Sequence, residues 1–226
     1  MSKRVLITGG NKGIGLSLTE MFLDLKYEVI VVARDFEGFV YQDKVRCISY
    51  DLSNVSGLEA LVDEVGNIDI LINNAGVMYT LPFDNYPDEK VETMLRLNLQ
   101  TPIKLIELCV KKGVNRVVNN ASVAAYTGHP DIWYGVTKAG LINATKSFAK
   151  LYEGKVIINA VAPSPVDTDM QLSNTHERKE AFKKSVITKR FATVDEVAKT
   201  MLWLATESPE YINGTTIDIN NGSYPR

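Results

Sequence analysis

The chain is short of several things at once. It has two cysteines in 226 residues, Cys47 and Cys109, too few for a disulfide framework or a cysteine zinc site, and their flanks VRCISY and IELCVKK read as strand and helix core. It has two histidines, His129 and His176, with no cysteine or carboxylate cluster at ligand spacing, which argues against a metal site and a histidine triad. It has no block of basic residues and a net charge of -2, so a phosphate-tracking nucleic-acid binder is excluded. It has no apolar run of about 18 residues and no apolar stretch after the opening MSKRVLITGG, so neither a membrane span nor a signal peptide is expected. These absences together predict a soluble, unprocessed, cytoplasmic protein with no membrane or nucleic-acid partner.

What is present is an ordinary globular make-up, 45% hydrophobic and 23% charged. The length suits one large domain or two small ones, and with no obvious interdomain linker residues 1–226 are read as a single domain. Short β-branched or apolar runs at residues 4–7, 28–32, 45–50, 68–72, 116–120, 156–161 and 215–219 read as strands. Helical spacing fills most of the intervals: Ile14, Leu18, Met21, Phe22 and Leu25 in the first, then residues 53–66, 88–113, 133–151 and 194–206, the last opened by the capping box Thr193-Val-Asp-Glu196. Residues 36–44 are too few for a full crossover helix. Such alternation predicts an α/β fold, a doubly wound (Rossmann) parallel sheet with helices on both faces and ligands at the carboxyl ends of the strands.

Each chemically suggestive residue falls at such an end. The first strand runs into Thr8-Gly-Gly-Asn-Lys-Gly-Ile-Gly15, whose glycines let a backbone approach a pyrophosphate; a plain tight βα turn would use them equally well. The second strand ends at Ala33, placing Arg34 beside Lys12 as a pair of cations for a ribose 2'-phosphate, or leaving Arg34 and Asp35 as a solvated pair. Asn73-Asn-Ala-Gly76 follows the fourth strand, either as a loop pressed on a ligand or as turn chemistry. In the helix over 88–113, Pro102 cannot donate to the Asn98 carbonyl, which frees that carbonyl for a water unless the proline is only a kink.

The fifth strand delivers Ser122, and the next helix carries Tyr134 and Lys138 one turn apart on one face. An ammonium beside a phenol is expected to lower its pKa from about 10 toward a working range. Ser122 would return across a loop to hydrogen-bond the same substrate oxygen. A tyrosine and a lysine four apart are common on any helix, so the pair gains meaning only from its company. The stiff turn Ala162-Pro-Ser-Pro-Val166-Asp-Thr168 would present backbone and Thr168 to a ligand, and residues 169–190 would cover the substrate, with the polar stretch from Gln171 to Glu180 as a mobile lid.

Taken together these motifs resemble the short-chain dehydrogenase/reductase family nearly from end to end. The family's TGxxxGxG pattern matches Thr8 to Gly15, its acid after the third strand Asp51, its NNAG Asn73 to Gly76, and its catalytic Asn, Ser, Tyr and Lys match Asn98, Ser122, Tyr134 and Lys138. The resemblance implies a dinucleotide held by Thr8, Gly9, Asn11, Lys12, Gly13, Ile14, Gly15, Arg34, Asp51, Leu52, Asn74, Ala75, Gly76, Pro163, Val166 and Thr168, with Tyr134 and Lys138 shared between cofactor and chemistry. Lys12 with Arg34 resembles members that prefer NADP(H) over NAD(H), such as carbonyl reductases. It implies reversible reduction of a carbonyl, with 3-oxoacyl-acyl carrier protein reductases the nearest general likeness and a general carbonyl or sugar reductase as the alternative. It also implies a homodimer or homotetramer built on the helices bearing Asn98 and Tyr134. From another class, a non-catalytic NADP(H) sensor or scaffold would keep the fold and the nucleotide site. Three departures stand out: Ser164 where the family commonly has glycine, Asn221 where it has the first of two glycines, and a Ser-to-Tyr spacing one residue short, which reshapes the loop TGHPDIW.

Overall fold

Among the described residues seven short strands, the central ones apolar and rich in β-branched residues, form one sheet in the order β3-β2-β1-β4-β5-β6-β7, and every adjacent pair is parallel. They are β1 (Arg4–Thr8), β2 (Glu28–Ala33), β3 (Arg46–Ser49), β4 (Ile70–Asn73), β5 (Arg116–Asn120), β6 (Ile157–Pro163) and β7 (Thr216–Ile219). The computed structural model describes residues 2–170 and 175–225. Helices α1 (Gly13–Asp24), α2 (Leu58–Val65), α3 (Asp88–Leu95), α4 (Thr101–Lys111), α5 (Ala124–Thr127), α6 (Ile132–Leu151), α7 (His176–Ser185) and α8 (Val194–Thr206) fill most of the intervals. This is the doubly wound sheet that the alternation predicts, with the order reversing between β1 and β4.

Alternation along the strands builds two cores. Leu6, Ile30, Val32 and Leu71 face Leu58, Leu61 and Val62 of α2 and Leu105, Ile106 and Cys109 of α4. Val5, Ile7, Val29, Val31, Ile70 and Ile72 face Leu18 and Phe22 of α1 and Val197, Ala198, Met201 and Leu204 of α8. Because both faces are buried, the strands read as continuous apolar runs. The capping box holds as expected: Thr193 Oγ1 accepts from the Glu196 amide at 3.2 Å, and the Glu196 carboxylate accepts from the Thr193 amide at 2.8 Å. Among the described residues no helix is long and apolar enough to cross a membrane, and no group of three or more His, Cys, Asp or Glu is placed to hold a metal ion.

Two local expectations, both about helix bounds, are corrected. The predicted helix over 88–113 is two helices joined by a π-helical turn at Arg96–Gln100, where the Thr101 amide bonds back five residues to the Arg96 carbonyl. Pro102 supplies no amide donor, and the chain takes up the slack with one wider turn just ahead of it. The crossover expected at residues 53–66 begins with a 3-10 turn at Val55–Gly57 before α2. Within the predicted lid, residues 176–185 form a helix, α7, capped by Thr175 Oγ1, which accepts from the Arg178 amide at 3.3 Å. Gln171 and the start of that stretch lie outside the described residues.

Candidate active site

The carboxyl ends of β1, β4 and β5 are tied together by side chains. Thr8 Oγ1 donates to the Ile72 carbonyl at 3.2 Å and accepts from the Asn74 and Ala75 amides at 2.9 and 3.0 Å. Asn74 Nδ2 reaches the Thr8 and Gly9 carbonyls, both at 3.2 Å, while its Oδ1 accepts from Asn120 Nδ2 at 3.0 Å. The loop after β4 is thereby fixed across the switch point of the sheet. A cavity of about 720 Å³ opens over it. Its wall includes Gly9, Asn11, Lys12, Gly13, Ile14, Arg34, Asp51, Leu52, Asn74, Ala75, Gly76, Ser122, Tyr134, Lys138, Pro163, Val166 and Thr168.

Three of the expected site residues stand behind that wall. The Thr8 hydroxyl is fully used by Ile72, Asn74 and Ala75, so it shapes the loop and has no hydrogen left for a ligand. Gly15 packs on the glycine turn, where an added Cβ would lie 2.0 Å from the Gly9 carbonyl oxygen. Asn98, 1% exposed, clamps Val77, with Oδ1 accepting from its amide at 2.9 Å and Nδ2 donating to its carbonyl at 2.8 Å. That clamp holds Gly76 in place. A Cβ on Gly76 would come 3.3 Å from Asn98 Oδ1, tighter than usual, and 3.6 Å from Lys138 Nζ, an ordinary contact, so the missing side chain leaves room beside the lysine.

At one end of the cavity Lys12 and Arg34 are both exposed. The β1–β2 pairing that matches Thr8 with Val32 brings the glycine turn beside the end of β2, and Asn11 Nδ2 donates across to the Asp35 carbonyl at 3.0 Å. Ala33 ends β2, as the sequence register requires, and Arg34 and Asp35 follow it on the wall. Asp51 is held by the Ser53 amide at 2.9 Å and hydroxyl at 2.8 Å. The Ser53 amide, with a smaller contribution from Arg34, keeps its carboxyl below the usual range.

At the other end Tyr134, Ser122 and Lys138 converge. Lys138 is 5% exposed, and its Nζ donates to the Asn120 carbonyl at 2.7 Å and stands 5.6 Å from the Tyr134 ring centre. Burial lowers its pKa to about 8. The Tyr134 phenol is raised, chiefly by burial and in part by the Asp131 charge, while a hydrogen bond from the Ser122 hydroxyl draws it back down. The lowering of this phenol expected from Lys138 is not what the fold produces: burial dominates, because a desolvated phenolate is costlier than the neutral phenol. Asn120 contributes a further feature: its Oδ1 is buried on the wall with no hydrogen-bond partner among the described residues.

The turn after β6 closes the cavity. The Pro163 carbonyl accepts from the Val123 amide at 3.0 Å, Val166 bridges to Ala192, and the Thr168 methyl faces Gly13.

One residue that organises the site was not singled out in the sequence. Asp131, 1% exposed, caps α6 by accepting from the Tyr134 amide at 3.1 Å, and its other oxygen accepts from Tyr86 Oη at 3.0 Å and from the Tyr79 and Thr80 amides at 3.3 and 3.0 Å. An aspartate just ahead of an apolar helix start is the signal that could have found it.

The family described as enoyl-(acyl carrier protein) reductase matches residues 9–223. A curated relative, the 3-oxoacyl-[acyl-carrier-protein] reductase of Aquifex aeolicus, is 32% identical over 97% of this chain and 96% of its own length. The chain belongs to the short-chain dehydrogenase/reductase family. As a member it is an oxidoreductase. Solved structures agree: a glucose/ribitol dehydrogenase of the family from Brucella melitensis superposes with a TM-score of 0.91 at 26% identity, covering 99% of this chain and 97% of that one. ElxO with NADP bound superposes with a TM-score of 0.88 at 26% identity, covering 99% of each chain.

Proposed function

We propose that this protein is an NADP(H)-dependent reductase that converts a carbonyl to a secondary alcohol, with 3-oxoacyl thioesters as the first substrate class to test. The observation that carries this reading is the convergence of the Tyr134 phenol, the Ser122 hydroxyl and the buried Lys138 ammonium on one end of the cavity. Two hydroxyls directed at one place suit an oxygen that gains a proton, as a reduced carbonyl does. The glycine turn, the room above Gly76 and the unpartnered Asn120 Oδ1 fit a nucleotide cofactor. Lys12 and Arg34 would take the 2'-phosphate, Asp51 and Leu52 the adenine side, and Pro163, Val166 and Thr168 the nicotinamide side.

When bound, the reduced nicotinamide supplies the hydride. Tyr134 gives its proton to the carbonyl oxygen, so that C=O becomes CH–OH, and Ser122 holds the same oxygen. Burial keeps the free phenol protonated, which suits a donor. Lys138 stabilises the phenolate left behind and hydrogen-bonds the nicotinamide ribose. The Asn98 main-chain carbonyl, four residues ahead of Pro102, holds a water for proton resupply. Residues 169–190, including α7, cover the substrate.

A general carbonyl or sugar reductase is the second reading, favoured by the likeness to a glucose/ribitol dehydrogenase. A non-catalytic sensor would have no use for the assembled proton-transfer groups. The expected oligomer would use α6, where Ile132 and Val136 stand exposed one turn apart. The test is NADPH consumption, followed at its absorbance, with acetoacetyl and crotonoyl thioesters and a panel of ketones and ketoses. Turnover of the 3-oxo thioester supports the reading. Turnover of the crotonoyl thioester alone would make the protein an enoyl reductase, and silence with tight NADPH binding would make it a sensor.

A further inference from the structure

The cavity wall beside Tyr134 carries a cation that the reduction chemistry does not use. His129 stands with its ring centre 5.4 Å from that of Tyr134, and its Nε2 lies 3.1 Å from an Arg178 guanidinium nitrogen. A guanidinium can only donate, and so can the Asp131 amide 3.1 Å from Nδ1, so the ring accepts from Arg178 at Nε2 in the tautomer that carries its proton on Nδ1, toward the Asp131 carbonyl 3.3 Å away. Burial first, and the Arg178 charge second, hold His129 below its usual pKa, so the ring is a neutral prop.

Arg178 is half-buried on α7, and no carboxylate among the described residues forms an ion pair with it. The nearby acids are otherwise placed. Asp131 is spent on Tyr79, Thr80, Tyr86 and Tyr134, and Asp169 is exposed on the rim. Lys179 lines the same cavity and adds to the positive charge. A guanidinium beside an imidazole, with no other side-chain hydrogen bond among the described residues, is built to receive an oxyanion in a two-pronged hydrogen bond.

We propose that Arg178, propped by His129, binds a carboxylate on the substrate, so that the preferred substrates are keto acids whose carboxylate lies a few bonds from the carbonyl held by Tyr134 and Ser122. The proposal rests on the reading of the site as a carbonyl reductase. The phosphodiester of a pantetheine thioester is the other source of an oxyanion. A pantetheine arm, however, is longer than the single imidazole that separates Arg178 from Tyr134.

The test compares kcat/KM for matched acids and neutral esters, acetoacetate with methyl acetoacetate and levulinate with methyl levulinate, with acetoacetyl-CoA as a third arm. The wild type is expected to favour each acid over its ester at least tenfold, a ratio that R178Q brings near one and R178K partly restores. A purely structural role for Arg178 would lower acid and ester together and leave the ratio unchanged. A wild-type ratio near one, an unchanged ratio in R178Q, or a loss confined to acetoacetyl-CoA would overturn the proposal, the last by moving the anion to the phosphate. A readout without turnover separates this from the function itself. Levulinate titrated into the full chain with NADPH should shift the NMR signals of the His129 ring, and should not do so in R178Q. That shift without reduction of any carbonyl would keep the anion site and remove the reductase reading; no shift in the wild type would remove the anion site.

Discussion

The Lys138 ammonium donates to the Asn120 main-chain carbonyl at 2.7 Å, in a site where burial lowers the lysine from 10.5 to about 8. Its folded-state pKa lies below its unfolded one, so between about pH 8 and pH 10 the unfolded chain binds more protons. Stability from this group is therefore lowest below pH 8 and rises with pH through that window. Replacing Lys138 with methionine should remove the rise. Urea unfolding at pH 7.5 and 9.5 should show the wild type gaining on the order of 1 to 2 kcal/mol relative to the variant. An unchanged gap would mean that the buried charge carries no penalty.

Tyr134→Phe removes the proton donor and keeps the ring against His129. We expect kcat to fall by roughly a thousandfold or more, the scale of a lost general acid. NADPH affinity by fluorescence titration should change little. Full activity in this variant would refute the assignment of Tyr134.

Arg34→Ala should weaken NADPH at least tenfold and NADH far less, since a charge-assisted hydrogen bond to a phosphate contributes about 1.5 to 3 kcal/mol. Lys12→Ala should act in the same direction. Titration of both cofactors decides it. Equal losses for the two would place the 2'-phosphate elsewhere, with Asp35 at the ribose as the next candidate.

Gly15→Ala puts a Cβ 2.0 Å from the Gly9 carbonyl oxygen, a backbone atom that cannot swing aside. The expected cost is about 1 to 3 kcal/mol or more, read as a lower melting temperature, together with weaker NADPH binding as the glycine turn shifts. A variant that melts and binds like the wild type would show that the turn can flex at no cost.

Much of the frame was legible because a buried parallel strand can be written in few ways. EVIVV and IDILI are short, apolar and largely β-branched, and the residues after them inherit their positions from the sheet. That is why Arg34, Asn74 and Ser122 could be placed on one cavity wall from sequence. The division of labour among those residues was not legible. Thr8 looks like a ligand-binding group until its hydrogen bonds are seen to be taken by Ile72, Asn74 and Ala75, and the Asn98 side chain gives no sign in sequence that it clamps Val77, partners set by the packing of separate elements. Asp131 escaped for the same reason: Tyr79, Thr80 and Tyr86 lie far away in the chain, and nothing local announces that they meet. The helix α7 was hidden by composition, since His176–Ser185 has no buried face to give it a period.

The π-helical turn at Arg96–Gln100 sets a rule for the length of the chain. A π-turn already holds one residue more than an α-turn, so deleting one residue there would return the joint to an ordinary α-turn, whereas inserting another would turn everything beyond it by about 100°. Leu105, Ile106 and Cys109 would then rotate off the sheet, or Met94 would leave its own cluster on the other side of the joint. The two halves are phased to different neighbours, and the wide turn acts as a spacer between them, much as a shim sets two gears in mesh. Single-residue insertions should thus be tolerated at the exposed turn around Gly113 and rejected at this joint, although both lie along the same stretch of chain.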